Sequence, residues 1–242
     1  MDRQRSSVAE IGALLARLAI GLLALPLLGV LVLGLARAED ARPLPPPAVD
    51  EHSTAASETA VLAGGCFWGM QGVFEHVKGV TKVLAGYSGG NRASADYETV
   101  SSGTTGHAES VQIAFDPRVI SYGEILRVYF SVAHDPTQLN RQGPDEGTQY
   151  RSEIFFAGPQ QEKIAHAYIA QLSKAHVYSA PIVTRVEAFK AFYPAEGYHQ
   201  DYLIHHPESA YIQVNDLPKI AQLKQVYPQL YRPTPVMVTA AR

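Results

Sequence analysis

The feature that most constrains this chain is Gly64-Gly65-Cys66-Phe67-Trp68-Gly69, which holds the only cysteine and the only tryptophan of 242 residues. Thr59 to Ala63 before it is a short apolar run, the mark of a buried strand. After it Phe67, Met70, Val73, Phe74 and Val77 recur at helical spacing, which puts Cys66 at a helix N-terminus. An ordinary thiol is only a few per cent thiolate at neutral pH, and unpaired helix N–H groups favour the anion. An inert buried cysteine is the commoner fate of the residue. The tight glycine turn and first-turn placement favour a reactive thiol against two aromatic faces.

Several functions are disfavoured at once. A net charge of -3 gives no electrostatic reason to expect a nucleic-acid partner. No Cys-x-x-Cys or His-Glu-x-x-His occurs, and the nine histidines do not fall at metal-ligand spacing. The glycine turn lacks the Lys-Ser/Thr ending of a phosphate loop and the spacing of a dinucleotide fingerprint.

The first forty residues are a different material. Arg3, Arg5 and Arg17 precede an uncharged apolar run from Leu18 to Ala36, closed by Ala36-Arg37-Ala38. This pattern predicts a signal peptide over 1–38 and an exported, periplasmic or extracytoplasmic protein, with a retained membrane anchor as the alternative. A Pro-rich spacer follows over 39–57, stiff and unable to build a core. One cysteine in an exported chain indicates a free thiol kept for reactivity or for an outside partner.

From residue 58 to 228, strand patterns alternate with helical ones. Strands are expected at Thr59–Ala63, Val80–Tyr87, Glu109–Phe115, Tyr150–Phe156 and Ile182–Phe189. Helices are expected after Ser121-x-x-Glu124, from Pro159, over Tyr198–His206 and over Leu217–Tyr227. Polar segments at Asn91–His107 and Gln138–Gly147 read as loops. The result is one α/β domain, a two-layer sandwich with few helices for both faces, and a tail over 229–242. Glu109 shares a face with apolar residues. Its pattern alone favours a surface charge at a strand end over a half-sunk carboxyl. Tyr97 and Tyr150 can be ordinary aromatics among thirteen tyrosines, and Asp145 a turn residue after Pro144.

Five motifs then occur in order: Gly64-Cys66-Phe67-Trp68-Gly69, Tyr87-Ser88-Gly89-Gly90, Gly106-His107-Ala108-Glu109, Gly147-Thr148-Gln149-Tyr150-Arg151-Ser152 and Tyr198-His199-Gln200-Asp201-Tyr202-Leu203. Together they resemble the A-type peptide methionine sulfoxide reductases over about Thr59 to Pro228. The resemblance implies a mixed sheet and reduction of the S epimer of methionine sulfoxide, free or in oxidised proteins and peptides. It implies Cys66 as nucleophile, Glu109 as proton donor, and Tyr97 and Tyr150 as hydrogen-bond donors to the sulfoxide oxygen. Phe67 and Trp68 become the wall for the substrate methyl, and Asp145 a support for the thiol. Tyr198-His199 and His205-His206 are expected to brace the fold rather than react. No prosthetic cofactor is implied. Reducing equivalents come from an external thiol: thioredoxin, glutaredoxin with glutathione, or dithiothreitol in vitro.

The chain departs from many members in having Ser101 where a second, resolving cysteine is common, and no cysteine in the tail. A cycle within this chain therefore has no internal disulfide. Two other functions suit a lone activated thiol: a peroxide reductase or sensor, and a silent domain that binds oxidised methionine segments.

Overall fold

The glycine turn joins strand β1 (Glu58–Ala63) to helix α1 (Phe67–Glu75), as the apolar spacing predicts. Gly65 has φ +87°, a left-handed conformation open to glycine, and a Cβ there would lie 2.5 Å from the Gln142 side chain. The structure, a computed structural model, describes residues 41–238. The leader expected over 1–38 lies outside the described residues. Among these residues no helix is long and apolar enough to cross a membrane.

β1 sits inside a six-stranded sheet with β2 (Val80–Ser88), β3 (Ala108–Phe115), β6 (Glu153–Phe156), β7 (Arg185–Ala188) and β8 (Phe192–Pro194). The order is β7-β6-β1-β3-β2-β8, antiparallel throughout except for β6 beside β7, so the sheet is mixed. Alternation along β1 sends Ala60 and Leu62 into the main core and Val61 and Ala63 into a small cluster with Phe155. The main core is filled from α1, α3 (Tyr122–Val128), α4 (Pro159–Lys174) and α6 (Leu217–Val226). This is a two-layer α/β sandwich in a single domain, the class expected. Ser121 caps α3, its Oγ accepting the Glu124 amide at 3.1 Å, as the Ser-x-x-Glu pattern predicts.

Five local expectations change. The segment 91–107, expected as a loop, carries a 3-10 turn at Arg92–Ser94 and a short helix, α2 (Tyr97–Val100). Tyr150 ends a 3-10 turn, Thr148–Tyr150, rather than opening a strand, because β6 finds its ladder with β1 only from Glu153. The segment 138–147 contains a small hairpin, β4 (Arg141–Gln142) with β5 (Asp145–Glu146), too short to show periodicity. The helix after Ser121 widens into a π turn at Tyr129–Ala133. The region 198–206 splits into a 3-10 turn and a short helix α5 (Tyr202–His205), with Asp201 at φ 55° between them.

The Pro-rich segment does not run free as a spacer over its described part. Leu44 is buried in the main core, and its amide donates to the Tyr227 hydroxyl at 3.0 Å. The Pro45 and Pro46 carbonyls accept from Tyr168 and Gln171, each at 2.9 Å. Asp50 accepts from the Ser121 hydroxyl and the Gly123 amide at the start of α3. Proline removes a donor but leaves its carbonyl, so an extended Pro-rich strip can still be tied down through acceptors. The tail is held too: Tyr231 bridges to Val77, and the Val236 and Val238 amides donate to the Glu75 carbonyl and the Asp201 carboxylate.

Glu75, at the end of α1, is fully buried beside Asp201. Burial, then Asp201, push it up to about 9. The folded protein thus keeps a proton that the unfolded chain loses above the ordinary value of 4.5, so stability falls as pH rises toward 9. Glu75→Gln is expected to gain on the order of 2 kcal/mol over the parent at pH 8 and little at pH 4.5. Urea unfolding at both pH values checks it; equal gains would rule out a neutral carboxyl.

Candidate active site

Cys66 is the N-cap of α1, half-buried, with its backbone outside the helix at φ -55° and ψ 126°. Glu109, two residues into β3 and paired with Tyr87 of β2, reaches the same helix end. Its Oε2 accepts the Phe67 amide at 3.0 Å, one residue from Cys66. The side chain is 3% exposed, so the surface placement favoured by its pattern is overturned. The first turn of α1 lies over this strand end, its Phe67 amide on the carboxyl. Burial pushes Glu109 up to about 8; the Phe67 amide opposes this and Asp145 adds to it.

The thiol itself is a correction. A helix N-terminus was expected to favour its anion, yet burial, then the carboxyls of Glu109 and Asp216, push Cys66 well above its ordinary value. The Trp68 amide pulls the other way and loses. Desolvation of a sulfur anion among carboxyls outweighs one partial positive helix end. At neutral pH the pair therefore rests as thiol and carboxylic acid, two protons whose titration belongs to both groups.

Tyr97 opens the short helix α2 (Tyr97–Val100), its amide donating to Glu196 at 3.0 Å. Burial, and after it the nearby Glu109 carboxyl, push both the Tyr97 and the Tyr150 phenol up. Two contacts draw these segments together: the Thr148 hydroxyl donates to the Gly103 carbonyl at 2.6 Å, and Gln149 to the Ser101 carbonyl at 3.3 Å. Arg151 fastens the turn from behind. Its guanidinium meets Glu153 at 2.6 Å and the carbonyls of His107, Thr148 and Gly106 at 3.0, 2.9 and 3.0 Å.

Phe67 is buried against Tyr87, while half-buried Trp68 stacks on Tyr202 with centroids 3.8 Å apart and planes at 12°. Asp145 accepts a hydrogen bond from the Tyr211 hydroxyl, and burial raises it although Tyr211 and Lys219 oppose. A cleft runs from Cys66 past Asp145, Tyr211 and Lys219 toward Arg42 and Tyr178. Among the described residues no cluster of three or more His, Cys, Asp or Glu could hold a metal.

All seven residues singled out from the sequence therefore converge on the start of α1. Three that were not singled out join them. Asp216 is buried where Gly69 lacks a side chain, a Cβ there lying 2.0 Å from its Oδ1, and Lys219 pairs with it at 3.1 Å. Tyr211 completes the Asp145 contact. They lie 145 to 153 residues downstream of Cys66, and no local spacing announces them. The glycine at 69, inside a helix, was the one available signal.

Comparison with known proteins agrees with this geometry. The family described as peptide methionine sulfoxide reductase matches residues 58–230. The peptide methionine sulfoxide reductase MsrA 2 of Mesorhizobium japonicum is 60% identical over 193 residues, 80% of this chain and 99% of its own length. The MsrA 2 protein of Synechocystis is 52% identical over 188 residues, 76% of this chain and 88% of its own. Among solved structures, methionine sulfoxide reductase A of Corynebacterium diphtheriae superposes with a TM-score of 0.55 at 32% identity, covering 72% of this chain and 91% of that one. With its buried carboxyl against a single N-cap cysteine, this chain belongs to the peptide methionine sulfoxide reductases as a one-cysteine enzyme of the MsrA type.

Proposed function

We propose that the enzyme reduces the S epimer of methionine sulfoxide through a sulfenic acid on Cys66 that an external thiol resolves. The observation that carries this reading is the Glu109 carboxyl, buried, pushed up to about 8 and hydrogen-bonded to the amide of the residue after Cys66. A sulfoxide sulfur is electrophilic, but its oxygen leaves only when protonated, and a neutral acid at pH 7 can supply that proton. Tyr97 and Tyr150 hydrogen-bond the oxygen, and Phe67 and Trp68 receive the methyl. Asp145 steadies the polar side of the thiol through Tyr211.

The Cys66 sulfur attacks the sulfoxide sulfur, and the oxygen takes the Glu109 proton and the thiol proton and leaves as water. Water then adds to the Cys66 sulfur, the new sulfur–sulfur bond breaks to release methionine, and the proton shed by that water returns to Glu109. The net change is oxygen passing from one sulfur to the other, giving methionine and Cys66 sulfenic acid. A thiol then displaces water to form a mixed disulfide, and a second thiol releases Cys66. Thioredoxin, glutaredoxin with glutathione, and dithiothreitol are suitable donors. Burying one methyl contributes only about 0.8 kcal/mol, so the wall alone cannot choose an epimer. An unpaired buried donor costs about 1–3 kcal/mol, so epimer choice lies with the oxygen's partners. Protein repair outside the cytoplasm is the setting we favour, on the pattern of residues 1–38.

Reduced enzyme mixed with a peptide methionine sulfoxide and no reductant tests the reading. One methionine per chain and one added oxygen on Cys66, seen by mass spectrometry, are expected. Oxidation of Cys66 by peroxide but not by the sulfoxide would replace it with the sensor reading.

A further inference from the structure

His199 lies where three of the substrate-facing side chains meet, although its position in the motif suggested only a brace. Its ring packs on Phe67 at 5.0 Å and Tyr97 at 4.5 Å between centroids. The Trp68 indole Nε1 donates to His199 Nδ1 at 3.1 Å. An indole nitrogen can only donate, so Nδ1 must present its lone pair and the neutral ring carries its proton on Nε2. That Nε2 is buried without a hydrogen-bond partner, with the Glu196 carboxylate 4.0 Å away.

Stacking on Tyr202 resists tilting of the indole but tolerates rotation within its own plane. The single directional bond to His199 opposes that rotation. We propose that neutral His199 is a positioning residue that locks the Trp68 ring, and hence the pocket face for the sulfoxide methyl, through its Nδ1 lone pair. The inference rests on the wall role given to Trp68 above. Glu196 extends the same control, accepting from the Tyr97 amide at 3.0 Å and the Tyr87 hydroxyl at 2.9 Å.

The groups facing His199 are Phe67 and Trp68 from α1, Tyr97 from α2, and Glu196 and Tyr198 from its own segment. Burial lowers its titration below 6.5, and Glu196 offsets part of this. Acid protonation of Nδ1 sets one N–H against another and releases the indole.

Trp68 is the only tryptophan, so intrinsic fluorescence reads this bond directly. His199→Leu is expected to raise KM for a peptide methionine sulfoxide about tenfold, to change kcat less, and to shift the emission. His199→Asn, whose amide oxygen can replace Nδ1, should keep both close to the parent. In the parent, emission and KM should change together below pH 6.5, and His199→Asn should lose that transition. The Asn variant separates His199 from His206, which lies 4.3 Å from Tyr202. Parent-like KM and emission in His199→Leu, or the same KM rise in both variants, would overturn the proposal. Should the Leu variant not fold, the acid titration of parent and Asn variant decides. Absence of sulfoxide turnover in the parent with dithiothreitol would instead remove the function on which the inference rests.

Discussion

Glu109→Gln is expected to lower kcat by about 10²–10⁴ with KM near that of the parent. The amide oxygen can still accept the Phe67 N–H, so the helix end keeps its partner at 3.0 Å. In the proposed mechanism, what disappears is the proton for the departing oxygen, which an amide cannot supply. The same substitution should stabilise the protein. Glu109 holds its proton to about 8 when folded, against an ordinary 4.5, so the folded state binds a proton the unfolded chain has lost between those values. Stability contributed at low pH is therefore lost as pH rises through that window, and the glutamine variant escapes the loss. A gain on the order of 2 kcal/mol at pH 8, shrinking toward pH 4.5, is the expected signature in urea. Steady-state kinetics and unfolding at two pH values read both effects. A parent-like kcat would remove Glu109 from the chemistry, and a pH-independent stability difference would show that it is not held neutral.

Arg151→Met is expected to cost about 3–5 kcal/mol and most of the activity. The guanidinium is 8% exposed and its partner Glu153 is fully buried, so removal strands a carboxyl inside the sheet. Burial already raises Glu153 while Arg151 lowers it, and without Arg151 only Arg185 still opposes the rise. Three carbonyls, Gly106, His107 and Thr148, also lose their donor. They belong to the segment leading into Glu109 and to the turn that ends at Tyr150, so the damage reaches both. Arg151→Lys, with a point charge instead of a planar fork, should recover part of the stability and less of the activity. An unfolding midpoint for Arg151→Met close to the parent would show that the turn is held by other means.

Much of this was legible before any coordinates. The apolar run to Ala63, the helical spacing from Phe67 and the capping pattern at Ser121 each name an element by period or by local hydrogen bonding. The structure keeps all three. Weak signals were lost where the element was too short to have a period: the β4–β5 hairpin and the 3-10 turn before Arg151. The Pro-rich segment misled because composition shows missing donors but not the carbonyls that Tyr168 and Gln171 use to hold it.

For the site, the chain alone determined which groups were available: one thiol, its glycine turn, its aromatic neighbours and a carboxyl at the start of a strand. Tertiary structure alone decided their state. Glu109 reads as a surface charge in its strand and becomes a buried acid only because α1 packs over the strand end. The helix terminus promised an activated thiolate, but burial, with Glu109 and Asp216 from distant segments, makes the sulfur hold its proton. Periodicity reports which face of an element is apolar. Burial and charge around a titrating atom depend on what other elements bring to it, and no local pattern carries that information.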